Sequence, residues 1–187
     1  LELSSAASDV YKRQSEITSR YTTLIDELTG IYNRRGFITL ADKAMRAGAR
    51  LDLSLSLVFI DMNNFKHIND EFGHAQGDEV LKDFATLLYE SSRSSDVVGR
   101  IGGDEFAVLL PHTNKEQAQT YVQHLNDKID AYNTPGRNSY ILSCTHGIAE
   151  YDAIQHKDVS TMLNQADSAM YAEKARRKAE EMPEYSI

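Results

Sequence analysis

Hydrophobic positions along this chain fall into two kinds of segment, stripes repeating about every 3.6 residues and short unbroken runs, and the two kinds alternate. Ile17, Tyr21, Leu24 and Ile25 recur at helical spacing, which predicts a connecting helix stub over residues 15–27, broken by Leu28-Thr29-Gly30. Asn33 is placed to cap a helix running to about Arg50, with Phe37, Leu40, Ala41 and Ala44 inward. Leu55–Ile60 is the longest apolar run, with only Ser56 inside it, read as a buried central strand that ends at Asp61. A polar loop is expected from there to Gly77. Val80, Leu81, Phe84, Leu87 and Leu88 then form the clearest helical stripe. Val97–Ile101 and Phe106–Leu110 read as two strands joined by Gly102-Gly103-Asp104-Glu105, a hairpin, with Pro111 stopping the second. Ala118, Tyr121, Val122, Leu125 and Ile129 predict an amphipathic helix over Lys115–Tyr132, followed by a turn at Asn133-Thr134-Pro135-Gly136. Tyr140–Glu150 is a strand candidate, and a last helix begins at Val159 with Met162, Leu163, Ala166 and Met170 inward.

The predicted order, α-β-α-β-β-α-β-α, implies an α/β (α+β) fold: a mixed central sheet with one antiparallel hairpin, covered by helices. Composition narrows this only a little. The chain has 187 residues, 41% hydrophobic and 26% charged, enough for one domain with a core and too apolar for wholesale disorder. A single Cys144 permits no intrachain disulfide. The longest apolar run is far too short to cross a bilayer. A net charge of −8 argues against binding a nucleic acid polymer, whose phosphates demand a basic face. It does not argue against a single nucleotide held in a local site. Residues 1–14 stand apart, because one codon choice for Ser4–Gln14 reproduces the end of a transposase adapter used in sequencing libraries; a genuine polar linker is the alternative. We expect that segment to be non-native and leave it out of the fold. The connecting stub then spans residues 15–27 and the domain residues 28–187.

Two places combine carboxylates with unusual backbone. Asp61 closes the most apolar strand, and in layered α/β folds ligands gather at the carboxyl ends of strands. Its carboxylate could ligate a metal, with the Met62 carbonyl as a second oxygen; the plainer alternative is an acid capping a turn. At Arg100–Phe106, Gly102 and Gly103 allow positive φ and close backbone approach to a ligand, while Asp104 and Glu105 repel one another in a way a divalent cation relieves. Mg²⁺ prefers few carboxylates, water and substrate phosphates, so Asp61 with Asp104 is a sensible pair. A solvated acidic turn is the alternative there.

Taken together, these residues resemble the GGDEF family of diguanylate cyclases. The matching stretches are Asp26–Gly30, Asn33-Arg34-Arg35, Asp61 through Asp70, Gly73-His74, Gly77-Asp78, Arg100–Phe106 and Ala166–Tyr171, in order over roughly residues 25–178. The resemblance implies a nucleotide-cyclase, palm-like sheet with a ferredoxin-like core. It also implies a reaction: two GTP molecules condense into cyclic di-GMP and two pyrophosphates. The two sites face each other across a homodimer, and the 3′-hydroxyl of one nucleotide attacks the α-phosphorus of the other. Asp61, the Met62 carbonyl and Asp104 are implied to hold Mg²⁺, or Mn²⁺ in its place. Asp104 and Glu105 are implied to take the hydroxyl proton, and Lys66 to stabilise phosphate charge. Asn69 and Asp78 match guanine-reading positions, Asp78 favouring GTP over ATP; as alternatives, Asp78 could cap a helix after Gly77 and Lys66 could be a plain surface lysine. His74 and Gly103 match substrate contacts, and Lys174 a phosphate-binding lysine. Arg93-Ser94-Ser95-Asp96 lies at the spacing of the family's inhibitory product site, with Arg93 and Asp96 as its residues.

Two stretches depart from the family pattern. Arg176-Arg177-Lys178-Ala179 stands where a Gly-Arg-Asn run is usual, leaving Lys178 to substitute for a phosphate-binding arginine without its planar fork. Thr145-His146-Gly147 replaces a Ser-apolar-Gly strand pattern, and His146 reads as a local packing variation. The expected activity is diguanylate cyclase. The alternatives are a non-catalytic domain that binds GTP or cyclic di-GMP to pass a signal, and a cyclase making a mixed guanine–adenine product. Cytoplasmic placement is expected because GTP is there. A sensor, regulatory domain or membrane anchor is expected upstream of the stub.

Overall fold

The computed structural model describes residues 24–51, 53–134 and 139–181. Five strands form one sheet in the order β1-β3-β4-β2-β5, where β1 is Tyr32–Asn33, β2 Leu55–Met62, β3 Val97–Arg100, β4 Glu105–Pro111 and β5 Cys144–Glu150. The short edge strand β1 runs parallel to β3, and every other pairing is antiparallel. The helices are α1 Arg34–Leu51, α2 Phe65–Phe72, α3 His74–Ser91, α4 Lys115–Tyr132 and α5 Val159–Glu181.

Alternation along β2 explains the layering. Val58 and Ile60 face one way, into a core with Phe84 and Leu88 of α3 and Val122, Leu125 and Ile129 of α4. Leu57 and Phe59 face the other way, onto Phe37 and Ala41 of α1 and Met162, Leu163 and Ala166 of α5. A strand buried on both faces and hydrogen-bonded on both edges needs the nearly continuous apolar run seen in the sequence, and its one polar member, Ser56, donates its hydroxyl to the Thr113 carbonyl. Phe84 and Phe106 meet edge-on, with ring centroids 5.0 Å apart. At the helix ends, Asn33 Oδ1 accepts from the Gly36 amide at 2.9 Å, and Asn114 with Gln117 forms a reciprocal capping box at the start of α4.

Four local expectations need correction. The segment to Gly77 is helix rather than loop: α2 presents Phe65, Ile68 and Phe72 at helical spacing beneath a charged face, and α3 begins at His74. Gly73, at φ 85°, separates the two helices. Strand β5 starts at Cys144 because the residues before it are tied to α4 instead. The Asn133 amide side chain bonds both the N–H and the carbonyl of Leu142, and the Tyr132 and Tyr140 hydroxyls meet at 3.0 Å. Leu24–Glu27 is not helical; Ile25 bridges Tyr32 in an antiparallel turn closed by Asp26, and β1 itself went unforeseen. The rest of the expected stub, residues 1–14 and the turn at Pro135-Gly136 lie outside the described residues.

Candidate active site

The sheet end where β2 and β3 run out carries most of the predicted chemistry. Asp61 is the direct cross-strand partner of Glu105 on β4 and of Thr145 on β5. The Met62 amide donates to the Asp104 carbonyl at 3.1 Å, so the strand end and the hairpin acids are locked side by side. Strand alternation puts Asp61 and Glu105 on the α5 face. There Lys174 Nζ meets Asp61 Oδ1 at 2.5 Å. Burial, and then the neighbouring charges of Asp61, Asp104 and Asp167, push the Glu105 carboxyl above the usual carboxylate range, with Arg34 opposing. Four acids therefore share one field. Among the described residues, however, no three acidic, histidine or cysteine side chains close into a metal cage. The donor set suits a cation that brings phosphate and water ligands with it.

The hairpin glycines serve a different end from the one expected. Neither has positive φ; among the described glycines only Gly30 and Gly73 do. A Cβ on Gly102 would strike Glu105 Oε2 at 2.2 Å, so this glycine lets Glu105 fold back over the turn. A Cβ on Gly103 would meet nothing within 4 Å, which leaves open space at the tip. Arg100 fastens the hairpin: Nε and Nη2 donate to the Gly103 carbonyl at 3.1 and 2.7 Å, and Nη1 reaches Asp26 Oδ1 at 3.2 Å. Burial works against the charged form of Asp26, but hydrogen bonds from Thr29 and Arg100 outweigh it and hold the carboxyl below its usual range.

The α2–α3 corner brings a second predicted set together. A Cβ on Gly77 would sit 2.0 Å from Asn69 Oδ1, so Asn69 lies against the bare backbone of Gly77, beside Asp78. Asp78 lies in the second turn of α3, which corrects the helix-cap alternative. Lys66, in the first turn of α2, and His74, opening α3, are exposed.

The family profile described as "Diguanylate cyclase, GGDEF domain" matches residues 23–180. The chain belongs to the GGDEF diguanylate cyclase family. It is 32% identical over 163 residues to the diguanylate cyclase DosC of Escherichia coli K12, a match covering 86% of this chain and 35% of DosC. The chain thus spans about a third of that relative's length. The solved GGDEF domain of TpbB (YfiN) from Pseudomonas aeruginosa superposes with a TM-score of 0.74 at 36% identity, covering 81% of this chain and 89% of that one. The coiled coil and GGDEF domain of DgcB from Caulobacter crescentus, solved with c-di-GMP, shares the fold with a TM-score of 0.83 at 23% identity over 93% of both chains.

In this GGDEF domain the Arg93–Asp96 turn sits just before β3, away from the hairpin tip. The Asp96 carboxylate accepts from the Arg93 amide at 2.7 Å, which closes the turn. Among the described residues the Arg93 guanidinium pairs with no carboxylate, and cavities of about 330 and 430 Å³ flank the turn, each lined by both Arg93 and Asp96. On α5, Glu173 engages Arg176 and Arg177, whose hydrogen bonds hold its carboxyl down at about 2. Lys178 stands one turn beyond Lys174 on the same face and makes no ion pair with the described residues. His146 is a half-buried strand residue whose imidazole is pushed below its ordinary value first by burial and then by Arg177, with Glu173 opposing. Sequence reasoning assigned no role to Arg100 or Asp167. The signals were available: Arg100 directly precedes the glycine hairpin, and Asp167 stands seven residues before Lys174, two helical turns on one face.

Proposed function

We propose that this domain is a diguanylate cyclase, condensing two GTP molecules into cyclic di-GMP with release of two pyrophosphates, each protomer of a homodimer presenting one GTP. The observation that carries this reading is the pairing of Asp61 with the hairpin acids across β2 and β4. The donor set fits a divalent cation: hard oxygens only, too few to saturate it, beside open space at Gly103. Asp61, the Met62 carbonyl and Asp104 would hold the ion. A bound Mg²⁺ or Mn²⁺ would neutralise phosphate charge and lower the pKa of the attacking hydroxyl. The residues of the chain do the rest. Glu105, whose carboxyl has a raised proton affinity, accepts the 3′-hydroxyl proton on its side chain. The electrons of the O–H bond form the new bond to the α-phosphorus, and the bond to pyrophosphate breaks. Lys66, Lys174 and Lys178 supply fixed positive charge to the phosphates. Asn69 and Asp78 read the guanine edge, Asp78 accepting from N1–H and N2–H₂, with His74 as a further contact. Adenine lacks those paired donors. Arg93 and Asp96 bind the product and inhibit the enzyme.

The test incubates the purified protein with GTP, ATP and Mg²⁺ and identifies products by mass. Cyclic di-GMP alone is expected. Tight GTP binding without any product would make the domain a non-catalytic receiver, and a mixed guanine–adenine dinucleotide would overturn the role of Asp78.

A further inference from the structure

A lysine bound for the phosphates already has a partner at this site, and that partner is the acid offered to the metal. Asp61 is only 14% exposed on its side chain, and its Oδ1 is engaged by the Lys174 ammonium. Two cations on one carboxylate repel strongly at such distances, so Lys174 and a divalent ion compete for it. Helix α5 is anchored on the sheet by Met162, Leu163, Ala166 and Met170, all buried, so the helix itself stays in place. It lies directly on β5 because Gly147 has no side chain: a Cβ there would strike the Ala166 carbonyl at 2.0 Å and the Met170 amide at 2.3 Å. What can move is the Lys174 side chain, 36% exposed on a flexible stem, with no other ion pair among the described residues to hold it.

We propose that Lys174 is a positioning residue that couples metal entry to nucleotide entry. Without nucleotide its ammonium occupies the carboxylate a divalent cation needs, and a triphosphate draws it off, so the cation arrives together with the nucleotide and binds poorly alone. The proposal rests on the cyclase reading of this site, in that it takes Asp61 as a metal ligand.

The test is a titration of the nucleotide-free protein with Mn²⁺, the free ion read by electron paramagnetic resonance, with folding monitored by circular dichroism. Lys174→Met is expected to bind Mn²⁺ about tenfold more tightly than wild type, inside the ~5–150-fold range typical of coupled sites. Lys174→Arg, which keeps the charge, should stay near wild type. Lys178→Met removes the same charge one turn away and should change affinity by less than about twofold. An unchanged or weaker affinity in Lys174→Met, or an equal gain in Lys178→Met, overturns the proposal. Lys174→Gln replaces the methionine variant if that one misfolds. Adding Asp61→Asn to Lys174→Met should erase the gain. If the gain survives, the ion does not sit on Asp61, and the metal assignment underlying the cyclase reading fails with it.

Discussion

Glu105 and Asp61 face each other across two hydrogen-bonded strands, each an acid, each partly screened from water. Like charges directly opposite on a sheet destabilise by about 0.2–1 kcal/mol. Burial first, and then the charges of Asp61, Asp104 and Asp167, hold the Glu105 carboxyl above its ordinary range. An acid held above its ordinary range in the folded state favours folding while protonated. That contribution is fully present below the unfolded value and is lost as pH rises through the folded one. At neutral pH, then, Glu105→Gln should raise the thermal midpoint of the metal-free protein by about 1–4 °C, while reducing product formation at least about 100-fold. The gap in midpoint should close on acidification below the ordinary glutamate range; a gap that persists there would contradict the assigned cause. Arg93 makes a second residue-scale test. Its guanidinium is exposed and the turn is held by Asp96 and backbone, so Arg93→Ala should leave stability unchanged. It should shift product inhibition about 10–100-fold to higher cyclic di-GMP, the loss of charge-assisted hydrogen bonds. An unmoved inhibition curve would remove Arg93 from that site.

At the scale of elements, two glycines with equally impossible Cβ contacts predict opposite outcomes. At Gly147 the obstructing atoms are the backbone of α5, which cannot yield, so Gly147→Ala should cost about 1–3 kcal/mol of stability in urea unfolding. At Gly77 the obstruction is the amide end of Asn69, which can rotate away. Gly77→Ala should therefore fold nearly as well as wild type yet bind GTP about tenfold more weakly, its KM rising before kcat falls; a large loss of stability with normal KM would sink the link between Gly77 and Asn69. The same contrast explains what was legible beforehand. Helices α1, α3, α4 and α5 and strands β2, β3 and β4 were readable because each presents an apolar stripe or run to a large core. Helix α2 was not, since only Ile68 is fully buried and its charged face dominates the letters. The start of β5 was misjudged because Tyr140 and Leu142 are held at the C-terminal end of α4 rather than in strand pairing, while Ile141 is exposed.

Across the whole molecule, the sheet order sets the chemistry. With β2 between β4 and β5, the acid that ends β2 necessarily meets the first residue of β4, and the motif spacing already carried that much. The ion pair between Lys174 and Asp61 was hidden, since it depends on how closely a glycine lets α5 approach the sheet. Among the described residues no helix is long and apolar enough to cross a membrane. Gly103 leaves open space at the hairpin tip, and the proposed condensation joins two bound GTP molecules on facing protomers. Specific activity should accordingly rise with protein concentration, in step with dimer measured by sedimentation; a flat dependence would argue that one protomer suffices. Arg100 carries a last consequence. It clasps the tip of the glycine turn with two of its nitrogens and, with a third, the acid that closes the entry segment at Asp26. The Asp26 segment and the carbonyl of Gly103 are thereby fastened through one guanidinium, so losing that side chain unties both ends at once.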